Sequence, residues 1–245
     1  ENDHLRVYDY LMDRLEANGI YVMVTTMAWW NSTQTQNFLR KAYAHCTLGD
    51  APALGFANLA PKHALIWHPR FMAYQERYMR QLFEHPSRFS GKRLTEYRNV
   101  VAIEVINEPD YPRPAKIAAL RQDRAEISKN PIRREELLLV DWFDQRVAAG
   151  TPDTEAAQSE FCAELIEKYL DRMFGVVDEY FQGSVLKTHI FYDFTEPAVR
   201  KVLTKTKAID CISVAFYGGG FATTTSIPQR LMLEEAVMHY TRRYE

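Results

Sequence analysis

The feature that most limits the fold of this 245-residue chain is a helical pattern followed by a short segment typical of a strand, which occurs four times. In the first unit, apolar residues recur at helical spacing over residues 4–17, and the apolar, β-branched run 20–26 follows Asn18-Gly19. Glycine is favoured where a helix ends, and such a run is typical of a strand buried on both faces. This unit is predicted to be a helix, a glycine turn and a buried strand.

Three further helix-and-strand units follow, and a last helix is predicted to begin near Pro228. The predicted pairs of helix and strand are 69–85 with 99–106, 161–183 with 186–194, and 197–204 with 209–216. Parallel strands need a crossover between them, and a helix is the usual one. The four units therefore predict an α/β chain with a parallel sheet covered by helices.

Residues 112–150 depart from this order. They are rich in Arg, Asp, Glu and Lys, and acidic residues are interspersed through the arginine-rich stretch Arg121–Arg134. This pattern is typical of a solvated helical face, so one or two exposed helices are expected after the second strand. Because the sequence contains no repeat and no linker, we predict a single domain over 1–245 with a charged helical insertion at 112–150.

Composition excludes several classes of partner. Thirty Lys and Arg residues against 32 Asp and Glu leave a formal charge of −2, which disfavours nucleic acid. No apolar run reaches the roughly 18 residues of a membrane span. Cys46, Cys162 and Cys211 are widely spaced and form neither a metal-binding pattern nor an even disulfide framework. A neutral or weakly charged ligand is expected, with no cofactor and no metal.

Ligands of parallel α/β proteins collect at the carboxyl ends of the strands. The four predicted ends are 27–31, 107–109, 193–196 and 217–220, and they are rich in aromatic, amide and carboxyl groups. Aromatic rings offer flat apolar faces to the C–H faces of sugars, while amides and carboxylates bind sugar hydroxyls. The strand ends therefore predict a carbohydrate site.

Residues 105–109, Val-Ile-Asn-Glu-Pro, resemble the fourth-strand motif of clan A glycoside hydrolases, and most closely that of family 5, the cellulase and mannanase type of barrel. Residues 67–82 are similar to the helix that precedes this strand, and residues 210–217 to the sixth strand of the family. The resemblance implies a (β/α)₈ TIM barrel of which this chain covers strands three to six. It also implies retaining hydrolysis of β-linked oligo- or polysaccharides, and it slightly favours a secreted or periplasmic location.

The same resemblance implies roles for individual residues. Hydrolysis needs a carboxylic acid that protonates the leaving oxygen and a second carboxylate that attacks or activates water. Glu108 would be the general acid/base, and Asn107 would donate to a sugar hydroxyl. The candidate sugar-contacting aromatic residues are Trp29, Trp30 and Tyr217. Where the family usually has His-x-Tyr on the sixth strand, this chain has Ala at the His position.

Two further carboxyl groups are candidates for supporting roles. Glu104 has the same strand parity as Glu108, so both are expected on one face of the sheet. A buried carboxylate needs a cation or several donors, unless Glu104 faces a solvent-filled barrel mouth. Glu196 is the other Glu at a predicted strand end. The nucleophile, which the family places after its seventh strand, is not identifiable, because Glu234 and Glu235 lie in helical periodicity.

Three interpretations are open. The chain is part of a retaining glycoside hydrolase, inactive alone and completed by other barrel segments or by another chain. Alternatively, it is an inactive barrel relative that binds carbohydrate or serves as a structural subunit. In the third interpretation it is an unrelated parallel α/β enzyme in which Glu108 and Asp193 hold a metal or act on a carbonyl substrate. A plain structural role, with Glu108 capping a helix that Pro109 starts, is the alternative for the motif itself.

Overall fold

The computed structural model describes residues 3–27, 62–129, 133–190 and 196–213. These residues contain a sheet of four parallel strands that are neighbours in the order in which they occur along the chain. The strands are β1 Val22–Thr25, β2 Val100–Glu104, β3 Leu186–Ile190 and β4 Cys211–Ser213. The predicted α/β class and parallel sheet are confirmed.

Seven α-helices lie in the described residues. They are α1 Asp3–Ala17, α2 Pro69–Glu84, α3 Pro114–Gln122, α4 Arg124–Lys129, α5 Leu137–Ala148, α6 Glu155–Phe181 and α7 Pro197–Lys205. Short 3₁₀ helices add Lys62–Ile66, Leu94–Glu96 and Arg133–Glu136. Helices α2, α6 and α7 lie on the crossovers between successive strands, as the alternation of the sequence predicted. None of the helices in the described ranges is long and apolar enough to cross a membrane.

Local sequence explains where several helices begin and end. Proline is the first residue of α2, α3 and α7, where its fixed φ suits the helix and its missing N–H is not needed. Helix α6 begins six residues before the predicted start, because the Thr154 hydroxyl accepts a hydrogen bond from the Ala157 amide. Its end is marked by two left-handed residues, Gln182 and Gly183, at φ 50° and 81°.

One face of the sheet packs against α2 and α6. Ile103 and Val24 of the sheet are buried together with Phe83 and Phe174 of these helices. Burying a side chain of this size contributes about 1.5 to 3 kcal/mol, so this layer supplies much of the stability. A buried hydrogen bond joins the two helices: the Tyr169 hydroxyl of α6 donates to Gln75 Oε1 of α2 at 2.8 Å.

The insertion is more extensive and more buried than the sequence predicted. It forms three α-helices rather than one or two, and Ile117, Val140 and Phe143 are fully buried. Phe143 contacts Phe161 of α6 with ring centroids 5.5 Å apart. The charged residues form ion pairs on the outside, such as Arg124 with an Asp141 oxygen at 2.7 Å. The average composition of the segment does not reveal these buried apolar residues, because the segment contains more charged residues than buried apolar ones.

Candidate functional site

A row of polar side chains crosses the sheet from the last residues of β1 and β2, through the middle of β3, to the first residue of β4. Residues paired across parallel strands point to the same face, and one paired row consists of Thr25, Glu104, Thr188 and Cys211. Glu104 and Thr188 are only 3% and 2% exposed. Short parallel strands are usually apolar throughout, so a carboxyl group flanked by hydroxyls marks this row as unusual.

Glu104 lies at the centre of the row with little compensation for its charge. Thr25 Oγ1 donates to Glu104 Oε2 at 2.8 Å, whereas Glu104 Oε1 is buried without a hydrogen-bond partner among the described residues. Burial raises the pKa of Glu104, the Thr25 hydrogen bond lowers it, and the charge of Glu108 raises it further. The alternative in which Glu104 faces a solvent-filled mouth is wrong, because the side chain is buried.

Glu108 follows β2 and has an unusual backbone conformation. Its φ is 48°, and among the described residues the only other non-glycine residue with positive φ is Gln182. A left-handed conformation is costly for a residue with a side chain, and such residues cluster at functional sites where the surroundings hold them. Because β2 ends at Glu104, strand alternation does not place the Glu108 side chain; its charge nevertheless acts on Glu104.

The loop that carries Glu108 is attached to the strands on both sides. The backbone N–H of Asn107 donates to the carbonyl of Met27 at 2.8 Å. Met27 lies two residues after the end of β1. The Tyr111 hydroxyl donates to the Ile190 carbonyl at 2.8 Å, at the end of β3. Glu108 therefore lies between two anchors that belong to the two neighbouring strands. These contacts hold the loop in place and allow the left-handed conformation to persist.

His189 completes the anchor on β3. Its Nε2 lies 3.1 Å from the Tyr111 hydroxyl oxygen. The single hydroxyl proton of Tyr111 goes to the Ile190 carbonyl, so we assign the imidazole proton to Nε2, which donates to Tyr111. Burial lowers the pKa of His189 to about 3, so the ring is neutral at physiological pH. A histidine within the predicted strand 186–194 was the sequence signal that could have drawn attention to this anchor.

The predicted site residues divide into three groups. Asn107 and Glu108 lie at the end of β2, and Glu104 lies beneath them in the sheet. Glu196 is instead the N-cap residue of α7, where its charge contributes to raising the pKa of Cys162 on α6, although burial is the larger cause. Predicted residues that lie outside the described part of the chain are Trp29, Trp30, Asp193, Tyr217, Glu234 and Glu235.

An open cleft of about 910 Å³ lies at the opposite edge of the sheet, before the strands begin. It is lined by residues that include Asp13, Glu16, Lys92 and Arg98. Its acidic side chains are paired, since Ser87 Oγ donates to Asp13 at 2.8 Å and Lys92 pairs with Glu16. Parallel sheets bind ligands at their carboxyl edge, so we assign this cleft a structural role.

Within the described residues, no group of three or more His, Cys, Asp and Glu side chains is arranged to hold a metal ion. No family model, curated protein or solved structure matched the chain when each was compared with it. The resemblance of residues 105–109 to family 5 glycoside hydrolases therefore stays a prediction. What the structure adds is the position of this motif, which follows a parallel strand at the carboxyl edge of the sheet.

Proposed function

We propose that this chain carries the general acid/base of a retaining glycoside hydrolase that acts on β-linked oligo- or polysaccharides. The observation that carries the proposal is the Asn107-Glu108 pair, held in a left-handed loop between anchors on β1 and β3. A catalytic carboxyl group must be placed precisely, and the two anchors support such a role because they fix the backbone on both sides of Glu108.

Glu108 would act twice in the reaction. As a carboxylic acid it donates its proton to the glycosidic oxygen while the bond to the anomeric carbon breaks. A carboxylate nucleophile forms a glycosyl ester at the same carbon. In the second step the Glu108 carboxylate accepts a proton from the water that attacks this ester. The nucleophile is not identifiable among the described residues, and Asn107 would orient the sugar by donating to a hydroxyl.

The order of the strands favours a barrel as the complete fold. In doubly wound sheets the strand order reverses at a switch point, whereas in a (β/α)₈ barrel each strand lies beside the next one in the chain. The four described strands are in direct sequential order. This order fits the third to sixth strands of a barrel, with the remaining strands supplied by further segments.

The acid role is tested by Glu108→Gln in the full-length protein. The variant loses an ionisable proton but keeps its shape, so kcat/KM for an oligosaccharide should fall by about 10² to 10⁴. A dinitrophenyl glycoside needs no protonation of its leaving group, so its cleavage step should be affected much less. Asp110→Asn is the matched control, because Asp110 lies in the same loop but pairs with Arg113.

The outcomes separate the candidate functions. An equal loss with both substrates, or unchanged turnover, would contradict the acid role of Glu108. Binding of β-linked oligosaccharides without turnover would instead support an inactive carbohydrate-binding relative. Residues 1–245 alone are expected to release no product from aryl glycosides, because double displacement requires a nucleophile.

A further inference from the structure

The first helix and strand, α1 and β1, expose several large apolar side chains. Those on α1, on β1 or between them are Val7, Leu11, Ile20, Tyr21 and Met23. Val7 and Leu11 lie one turn apart, so they share a stripe of α1. Met23 is 49% exposed, whereas the residues of parallel strands are normally buried on both faces. Exposed apolar residues that cluster in this way mark an interaction surface.

The backbone of β1 is paired on one side only within the described part of the chain. The backbone N–H groups of Val22 and Thr26 donate to carbonyls on the β2 side, both at 2.8 Å. Successive residues of a strand direct their backbone groups to opposite edges, so Met23 and Thr25 present theirs to the side away from β2, the open edge. Natural sheets protect such an edge with charged residues or proline, and the run 20–25 contains neither. This edge therefore has the chemistry of a strand that pairs on both sides.

The handedness of the crossovers indicates which strand fits the open edge. Asp9 of α1 accepts a hydrogen bond from His85, which directly follows α2. Met12 of α1 is buried in the same core as Phe83 of α2, so the two helices lie side by side on one face of the sheet. A right-handed crossover through α2 places β2 on one side of β1. By the same rule, a strand that leads into α1 lies on the other side of β1, which is the open edge.

We propose that the open edge of β1 binds an apolar β-strand that directly precedes α1 in the full-length polypeptide and runs parallel to β1. Its carbonyl oxygens would accept hydrogen bonds from the backbone N–H groups of Met23 and Thr25, and its side chains would cover Met23. A helix that precedes this strand would cover Val7 and Leu11. The inference gives a position to one of the further segments of the proposed barrel, but it does not depend on the catalytic role of Glu108.

A second copy of the chain fits the open edge less well. A twofold axis would pair two β1 strands, each of only four residues, and such a short ribbon provides few hydrogen bonds. A segment joined to α1 is instead held near the edge by its covalent link. Its high effective concentration lowers the entropic cost of pairing.

The first test is amide hydrogen exchange of the full-length protein, measured by NMR for each residue. The backbone N–H of Val24 is directed to β2, so it is the internal control and should be protected in either case. The N–H groups of Met23 and Thr25 should exchange at least about 100-fold more slowly than in an unstructured peptide. Unprotected exchange at these two positions, with Val24 protected, would overturn the proposal.

The same sample identifies the occupant of the open edge. Nuclear Overhauser contacts from the N–H of Met23 should lead to a parallel strand on the N-terminal side of α1, and they should not depend on protein concentration. Contacts that appear between differently labelled molecules would assign the edge to a second copy and overturn the proposal. Contacts to any other segment of the chain would overturn it as well.

The second test places a charge on α1 in the full-length protein. Leu11→Lys would bury an ammonium group without a partner, so the Tm should fall by about 5 °C or more. Leu11→Met keeps the volume and apolar character of the side chain and should change the Tm by less than about 2 °C. Ala118→Lys, at an exposed position of α3, is the matched control and should also stay within about 2 °C.

Equal Tm values for Leu11→Lys and Ala118→Lys would show that no helix covers α1, which would overturn the proposed helix contact. None of these measurements uses enzymatic activity. A failure at the open edge is therefore distinct from a failure of Glu108 as the acid/base.

Discussion

The two edges of the sheet treat carboxyl groups in opposite ways. At the amino edge, Asp13 accepts hydrogen bonds from the side chains of Ser87, Ser90 and Tyr97, and Glu16 pairs with Lys92. Burial would raise the pKa of Asp13, but these hydroxyl donors and the charge of Lys92 lower it overall. Every one of these contacts favours the charged form. The amino edge therefore uses its carboxylates to attach α1 to the loop before β2.

At the carboxyl edge, Glu104 has one hydroxyl donor and a carboxylate neighbour, Glu108, and its pKa is raised. A carboxyl group that is buried without compensation adds little to stability, so its presence needs another explanation. The carboxylates of the amino edge, which have partners, hold the fold together, whereas the carboxyl group of Glu104 is buried with one hydroxyl donor. The free energy of unfolding should therefore respond in opposite ways when a carboxyl group of each edge is replaced by an amide or when the pH is changed.

The largest expected effect comes from breaking the amino edge at Asp9, which is 1% exposed. Asp9 accepts from His85 Nε2 at 2.8 Å and from the Arg88 backbone amide at 3.1 Å, so Asp9→Ala removes a buried acceptor that two donors share. The free energy of unfolding, measured in urea, should fall by about 3 kcal/mol. Asp171→Ala, at an exposed position of α6, should change it by less than about 0.5 kcal/mol. Similar losses in both variants would contradict the role given to the amino edge.

A change of one pH unit is expected to have a smaller effect, through His189. Its folded pKa of about 3 lies below the ordinary 6.5, so between these values the unfolded chain binds a proton that the folded chain does not. Stability should therefore fall as the pH drops from 6.5, by at most about 1.4 kcal/mol per unit from this group. Urea titrations of wild type and His189→Gln should diverge in this range, with the variant less dependent on pH. Parallel curves would show that folding does not lower the pKa of His189.

The smallest expected effect has the opposite sign and concerns Glu104. Because its pKa is raised, the folded chain retains a proton that the unfolded chain releases above about pH 4.5. Its contribution to stability is present below that pH and is lost as the pH rises. Glu104→Gln should equal wild type near pH 4 and be more stable at pH 7, by under about 1 kcal/mol. Asp13→Asn should lose stability at pH 7, and equal signs for the two variants would remove the distinction between the edges.

The order of helices and strands was predictable because it depends on local patterns. The helix expected over 4–17 is Asp3–Ala17, and the one expected to begin at Pro69 is Pro69–Glu84. Parallel pairing followed from helical crossovers of this kind. The insertion was predicted less well. Its buried face depends on contact with α6, and the average composition of the segment does not show that contact.

The site was predictable only in part. The motif and the strand parity identified Asn107, Glu108 and Glu104, because these residues lie within five positions of one another. Thr25 and Tyr111, which hold the site, were not identified as such. Thr25 lies 79 positions from Glu104, and Tyr111 bonds to a carbonyl 79 positions away, so no local pattern connects these partners.

The sequence by itself determined the alternation of helices and buried strands, the parallel sheet, and a carboxyl-bearing motif at a strand end. It could do so because backbone propensity and periodicity act over a few residues. Only the tertiary structure decided which carboxylates have partners and which do not. Burial, hydrogen bonding and the field of a neighbouring charge depend on residues far apart in the chain, and these determine whether a carboxyl group stabilises the fold or is available for chemistry.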